Sequence, residues 1–404
     1  MKKVWVLFTG LIVAGVASAQ LPQADKIKAH IQVLAADKLE GRGNGAPGGQ
    51  KAADYIAGQF KKLKLQQKGE QGWLQPFTFK GGVHQTGEEK KSQNVVAYLD
   101  NGAPVTVIIG AHYDHLGLGN DGSSLDANPQ GKIHNGADDN ASGVAGLLEL
   151  ARYYSTNGKK EKTNFLFISF SGEELGLFGS KYFSEHPTID LGQATYMINL
   201  DMVGRFEKDK GLSVSGSGTA PDWEPLLKSL STESIRIKTD SSGIGPSDHT
   251  SFYLKNIPVL HFFTGSHSDY HKPSDDWDKI NYAGEVDVLK VIINTIDKLD
   301  GQPKLAFLTT KNKSMSSSRS FKVTMGVMPS YSSDEEGLKV DGVSEGKPAA
   351  KAGILTGDLI IQIGDLAIKD IQAYMDALGK FQKGETVPVK VKRGGEIKTL
   401  QVTF

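Results

Sequence analysis

Short apolar runs, several of which lead into an imidazole or a carboxylate, most restrict the fold of this 404-residue sequence. They lie at residues 94–99, 105–111, 164–170, 196–201 and 259–263. Helical patterns fill the stretches between them, at 141–154, 177–184, 222–230 and 285–299. Short buried strands alternating with helices predict an α/β fold, a mostly parallel mixed sheet flanked by helices. Two amphipathic helices are expected ahead of it, at 24–37 and 50–63, with a glycine-rich loop at 41–49 between them.

In an open α/β sheet the functional crevice lies just outside the carboxyl ends of the strands. Four strand ends here deliver potential ligands to that place. His112 and Asp114 follow the run 107–111, Asp138 and Asp139 open a helix, Glu173 and Glu174 follow the run 165–170, and Asp201 closes the run 197–201. His271 adds an imidazole from a later loop. Singly, each has an ordinary explanation: an Asp before a helix caps it, and a Glu pair favours a helix start. Jointly they do not, because burying such charges is costly unless a metal or a partner offsets it.

Composition narrows the chemistry. There is no cysteine, which excludes disulfides, thiol catalysis and thiolate ligation, so any metal must be held by His, Asp and Glu. Lys+Arg and Asp+Glu are equal at 46 each, so no global field favours nucleic acid or an anionic membrane. Residues 43–48 match a dinucleotide-binding fingerprint in letters. They follow a helical pattern rather than a strand, and Pro47 lacks the N–H that a phosphate cradle would use, so a plain loop is expected. No His-Glu-x-x-His helix, phosphate-binding loop or serine elbow is present.

The chain divides into four parts. Lys2 and Lys3, an apolar stretch over 4–16 and Ala17-Ser18-Ala19 have the order of a signal peptide, expected at 1–19. Export, to the periplasm or beyond, and a mature protein without a membrane span are therefore expected. A large domain should cover 20–305, a polar linker 306–320 and a small β-rich domain 321–404.

The motif series is now specific enough to name. His112-Tyr113-Asp114, Gly136-Ala137-Asp138-Asp139-Asn140-Ala141-Ser142-Gly143, Gly172-Glu173-Glu174-Leu175-Gly176, Asn199-Leu200-Asp201-Met202 and Tyr270-His271 resemble, in order, the M28 family of co-catalytic zinc aminopeptidases. Ser247-Asp248-His249 resembles a further motif of that family. The resemblance implies a zinc-exopeptidase fold, two zinc ions per subunit and peptide substrates with a free N-terminus. It implies Asp138 as the bridging ligand, Glu174 and His271 completing one ion, and His112 and Asp201 the other. Glu173 would be the general base and Tyr270 a stabiliser of the oxyanion, with packing beside His271 as the ordinary alternative for Tyr270. Asp114 would orient His112, and Asp139 would follow the bridge through a cis peptide. His115, His249 and His267 receive no role. A carboxypeptidase or dipeptidase on the same scaffold, a one-zinc cyclising transferase, and a non-catalytic binding protein are the alternatives.

The last domain resembles a bacterial PDZ domain over Gly346-Lys347-Pro348-Ala349-Ala350 and Gly357-Asp358-Leu359-Ile360. Thr324-Met325-Gly326-Val327 stands where such domains receive a peptide's C-terminal carboxylate. A C-terminal peptide ligand is one expectation, and simple packing on the catalytic domain or another subunit is the other.

Overall fold

The computed structural model describes residues 21–80, 89–120, 123–310, 323–329, 336–343, 346–369 and 371–404. The expected signal peptide, and the linker beyond residue 310, lie outside the described residues.

Among the described residues a nine-stranded mixed sheet forms the large domain. Its strands are β1 (Gln66–Gln67), β2 (Leu74–Lys80), β3 (Glu89–Leu99), β4 (Thr106–His112), β5 (Asn164–Phe170), β6 (Ala194–Leu200), β7 (Leu212–Ser215), β8 (Ile237–Asp240) and β9 (Val259–Phe263). They run in the order β1-β3-β5-β4-β6-β9-β7-β8, with β2 paired to β3. The centre, β5-β4-β6-β9, is parallel, while β3 and β7 join it antiparallel on its two sides. Every residue of β4, β5 and β6 is buried, as expected for strands covered on both faces. Alternate side chains then separate into two cores. Val107, Ile109, Phe165, Phe167, Ile198 and Leu200 pack under helices α1 (Ala24–Leu34), α2 (Pro47–Lys62), α3 (Gly143–Thr156) and α7 (Tyr282–Leu299). Ile108, Leu166, Ile168, Phe170 and Met197 face the other way, towards α4 (Phe178–Glu185) and α6 (His249–Tyr253). Helix α5 (Trp223–Leu230) inserts Trp223 and Leu227 into the first core.

The N-terminal segment differs from the expected loop. Helix α1 buries Ile27, Ile31 and Leu34 at helical spacing and stops there, three residues before the expected end. Helix α2 begins at Pro47, inside the glycine-rich stretch, because proline is suited to the first helical position. A Cβ on Gly48 would collide with the Leu39 carbonyl, so glycine is what lets this helix start close against the preceding turn.

Between the two helices Arg42 is buried at 1% exposure. Its Nε donates to the Tyr113 carbonyl at 2.7 Å and its Nη1 to Leu34 and Asn135 at 2.7 and 2.6 Å. Its Nη2 donates to Gly136 at 2.9 Å. One guanidinium thus ties the end of α1, the exit of β4 and the loop before α3.

Residues 306–310, expected to begin the linker, pack on the large domain instead. The Leu308 N–H donates to the Thr219 carbonyl at 2.8 Å and the Thr310 N–H to the Tyr253 hydroxyl at 3.0 Å. The small domain has its own core and a second sheet. This sheet runs β10 (Val327–Pro329), β11 (Leu338–Val343), β12 (Leu359–Ile363), β14 (Thr386–Arg393), β15 (Glu396–Thr403), with β13 (Leu366–Ala367) on β12. Helices α8 (Pro348–Ala352) and α9 (Ile371–Leu378) complete it. No helix among the described residues is long and apolar enough to cross a membrane.

Replacing Arg42 by alanine strands four buried carbonyls. Unfolding in denaturant should show a loss of about 3 kcal/mol or more; an unchanged midpoint would mean that Arg42 does not hold these segments together.

Candidate metal centre

Strand ends bring the ligand-type side chains together as the topology requires. His112 is the last residue of β4, Asp201 follows β6, and Glu173 and Glu174 follow β5. His112 Nε2 lies 3.3 Å from Asp201 Oδ1, 3.4 Å from Asp139 Oδ1 and 3.9 Å from Glu173 Oε2. His271 Nε2 lies 3.2 Å from Asp139 Oδ2 and 3.1 Å from Glu174 Oε2. Asp139 therefore stands between the two imidazoles, presenting one carboxylate oxygen to each.

This is the place expected for Asp138, and the structure exchanges the two neighbours. Asp138 turns away: its Oδ1 accepts from the Gly204 N–H at 2.7 Å and the Ser142 hydroxyl at 3.0 Å, and its Oδ2 lies 3.1 Å from His267 Nε2. The cis peptide also falls one residue later than expected, between Asp139 and Asn140. Asp138 and Asp139 both donate their backbone N–H to Asp275 Oδ2, at 2.9 and 3.1 Å, and Asp275 is met in turn by Arg205. The physical reason lies in the partners: both oxygens of Asp138 are already taken, by Gly204, Ser142 and His267, so the second carboxylate is the one left to face forwards.

The support expected from Asp114 also takes another form. His112 Nδ1 lies 3.1 Å from the backbone carbonyl of Asp114, while the Asp114 carboxylate is 3.7 Å away. That carboxylate instead accepts from the Glu173 and Glu174 N–H groups, at 3.2 and 3.4 Å, and from Asn44 Nδ2 at 2.7 Å. It fixes the turn that carries the glutamate pair. Ser247 donates to Asp201 Oδ2 at 2.7 Å, and Ser123 O lies 2.9 Å from His271 Nδ1. Tyr270 stacks on His271 with centroids 3.9 Å apart and lines the cavity.

His115, which had no assigned role, is part of the centre. Its Nδ1 lies 2.6 Å from Glu174 Oε1 and 3.8 Å from Asp139 Oδ2. Its nearness to His112 on one extended segment was the available signal.

The donor set fits a metal. Zinc bonds of about 2.0–2.1 Å in tetrahedral geometry place neighbouring ligand atoms about 3.3 Å apart, the spacing found here between imidazole and carboxylate atoms. His271 Nε2 is buried and makes no hydrogen bond among the described residues, although two carboxylate oxygens flank it. An atom so placed faces a common centre rather than a proton acceptor.

The electrostatics are those of charges held out of water. Burial pushes Glu173 well above the usual carboxylate range, reinforced by Asp201, Asp248 and Glu174 and opposed by His112. Glu174 goes the other way: burial would raise it, but His271 and His115 hold it well below. Burial would likewise lower His112, yet Asp201 and Glu173 hold it well above 6.5. The adjacent glutamates thus experience opposite fields. A cavity of about 340 Å³ opens over the centre, bordered by Met202, Phe263 and, from the small domain, Val327.

Comparisons with known proteins identify the family and the fold. The sequence model of Peptidase family M28 matches residues 94–296, and that of the PDZ domain matches residues 323–404. Leupeptin-inactivating enzyme 1 of Streptomyces exfoliatus is 31% identical over 65% of this chain and 53% of its own length. Aminopeptidase YwaD of Bacillus subtilis is 31% identical over 44% of this chain and 37% of its own length. This chain therefore spans only about half, or less, of these two relatives. In fold, a Zn-dependent exopeptidase from Parabacteroides distasonis superposes on 69% of this chain and 99% of its own, with a TM-score of 0.57 at 18% identity. Porphyromonas gingivalis glutaminyl cyclase does so over 69% and 99%, with a TM-score of 0.56 at 21% identity.

The two neighbouring aspartates should separate in a metal titration. Asp139→Asn is expected to lower bound zinc at least tenfold after dialysis. Asp138→Asn should keep the metal and cost about 1–3 kcal/mol of stability. The reverse pattern in elemental analysis would contradict the placement of the two carboxylates.

Proposed function

We propose that this chain, which belongs to peptidase family M28, removes the N-terminal residue of peptides at a centre of two zinc ions. The observation that carries the reading is Asp139, one oxygen 3.4 Å from His112 Nε2 and the other 3.2 Å from His271 Nε2. A single carboxylate facing two donor groups suits a shared ligand. His112 and Asp201 complete one group, and Glu174 and His271 the other. His115 holds the second oxygen of Glu174, which orients that ligand from behind. Four carboxylates, Asp139, Glu173, Glu174 and Asp201, converge here, and two divalent ions would balance them.

Zinc bound there polarises a peptide carbonyl and lowers the pKa of a bound water. Glu173 is free of the ligand set and takes the proton of the attacking water, then gives it to the leaving amine. Asp114 keeps its backbone N–H in register with that of Glu174, so base and ligand stay in fixed relation. The Tyr270 hydroxyl stabilises the oxyanion, with its ring steadied on His271. The substrate's α-amine is held among the carboxylates, which is what makes the enzyme an aminopeptidase. The sequence 1–19 directs the chain out of the cytoplasm.

The small domain offers a site of its own. Strand β10 lies at the edge of its sheet, directly after the turn at Thr324–Gly326, so a peptide can add as a further strand with its terminal carboxylate at the turn. A peptide with a free C-terminus should bind and its C-terminal amide should not; equal binding in a fluorescence titration would remove this assignment.

Elemental analysis of the purified chain is expected to give two zinc ions per subunit, and a chromogenic amino-acid amide should be cleaved while its N-blocked form is not. Glu173→Gln should keep the zinc and lower kcat by about 10²–10⁴-fold. Full activity in that variant would sink the mechanism, and cleavage of N-blocked, C-terminally free peptides would make the enzyme a carboxypeptidase.

A further inference from the structure

Beside the metal centre the cavity floor is a face of the sheet. Strand register sets Asn199 of β6 beside His261 of β9, His261 beside Ser215 of β7, and Ser215 beside Asp240 of β8. Paired residues on neighbouring strands point to the same face. A polar row therefore runs from beneath Asp201 out to a carboxylate at the end of β8. His261, Ser215 and Asp240 all line the cavity, as does Ser213, which pairs with Phe263 one step along.

The row is rich in acceptors. His249 is fully buried, borders the same cavity and stacks on His261 with centroids 4.6 Å apart and planes at 10°. Neither of its ring nitrogens has a hydrogen-bond partner among the described residues. Asp240 Oδ1 accepts from the Ser242 N–H at 2.9 Å, and no lysine or arginine pairs with this carboxylate among the described residues. No lysine or arginine among the described residues lines the cavity either. With the four carboxylates of the metal centre balanced by zinc, Asp240, exposed at the end of β8, is the negative charge that remains among the described lining residues. It stands two strand spacings, about 9–10 Å, from β9. Only a long side chain on the bound N-terminal residue would span that gap, and it must end in donors.

We infer that this cavity is the recognition site for a cationic N-terminal residue, lysine or arginine, with Asp240 as its counter-charge. The inference rests on the aminopeptidase reading and adds the substrate class to it. The Asp240 carboxylate pairs with the ammonium or guanidinium, and the hydroxyls of Ser213 and Ser215 accept its further N–H groups. His249 supplies a ring nitrogen as acceptor. A leucine in the same position would leave the buried His249 ring nitrogens and the half-buried Ser213 and Ser215 hydroxyls without a partner from the substrate, which is how a polar site rejects an apolar rival.

The test uses the zinc-loaded full chain with lysine, arginine, leucine and glutamate p-nitroanilides, and calorimetric binding of free L-lysine and L-leucine. Lysine and arginine substrates should exceed leucine at least tenfold in kcat/KM, and L-lysine should bind at least tenfold more tightly than L-leucine. Asp240→Asn should reduce the lysine-to-leucine ratio at least tenfold in both measurements, and Asp240→Lys should turn the preference towards glutamate. A leucine preference, or a ratio that Asp240→Asn leaves unchanged, overturns the inference. If no anilide is cleaved but lysine binds preferentially through Asp240, the recognition site stands and the peptidase reading falls.

Discussion

Carboxylates held out of water at the ends of parallel strands set the terms for everything around them. Asp139, the Glu173–Glu174 pair and Asp201 come from three separate segments, and their mutual repulsion in a dry site opposes the very approach that the sheet imposes. The fold answers with oriented partial charges. Backbone N–H groups meet Asp114 and Asp138, hydroxyls meet Asp201 and Asp138, and Arg205 meets Asp275 behind the turn. These partners leave the forward-facing oxygens uncommitted. A bound cation completes a compensation that the protein supplies only from behind.

Much of this was legible in the sequence, because the signals were strong and of long range. The strands of the sheet's centre are mostly apolar and buried on both faces, which sets them apart from half-exposed ones. His112, Glu174, Asp201 and His271 sit at their ends or in the late loop, and the structure gathers all four. The failure at Asp138 and Asp139 has a simple cause. Two identical neighbours carry the same chemistry, and which one faces forward depends on anchors at Asp275 and Gly204, far along the chain. His115 was missed because a histidine near a ligand histidine carries no periodic signal. Strand β7 and the edge strand β8, only four residues each and partly polar, fell below what periodicity can detect. Yet they carry the polar row on the cavity floor.

On the proposed reading, reaction and selection are built on different parts of one sheet. The parallel centre, buried on both faces, holds the reactive groups rigidly. Strands β7 and β8, whose outward residues make few demands on the core, hold the groups that would choose among substrates. Changes at Asp240 or Ser213 can alter recognition with little disturbance to the centre. The small domain keeps a separate core and touches the cavity through Val327, so it adds a surface without sharing the structural load.

Arg42 carries an implication for where the working unit begins. The matched family region starts at residue 94, and every residue of the metal centre lies within or after it. The loops that aim His112, His115 and Asp139 nevertheless hang on a guanidinium that enters the chain some fifty residues earlier. The helices before the sheet are therefore a latch rather than a preface. A fragment trimmed to the matched region would contain the ligands of the centre but not the part that holds its loops in place.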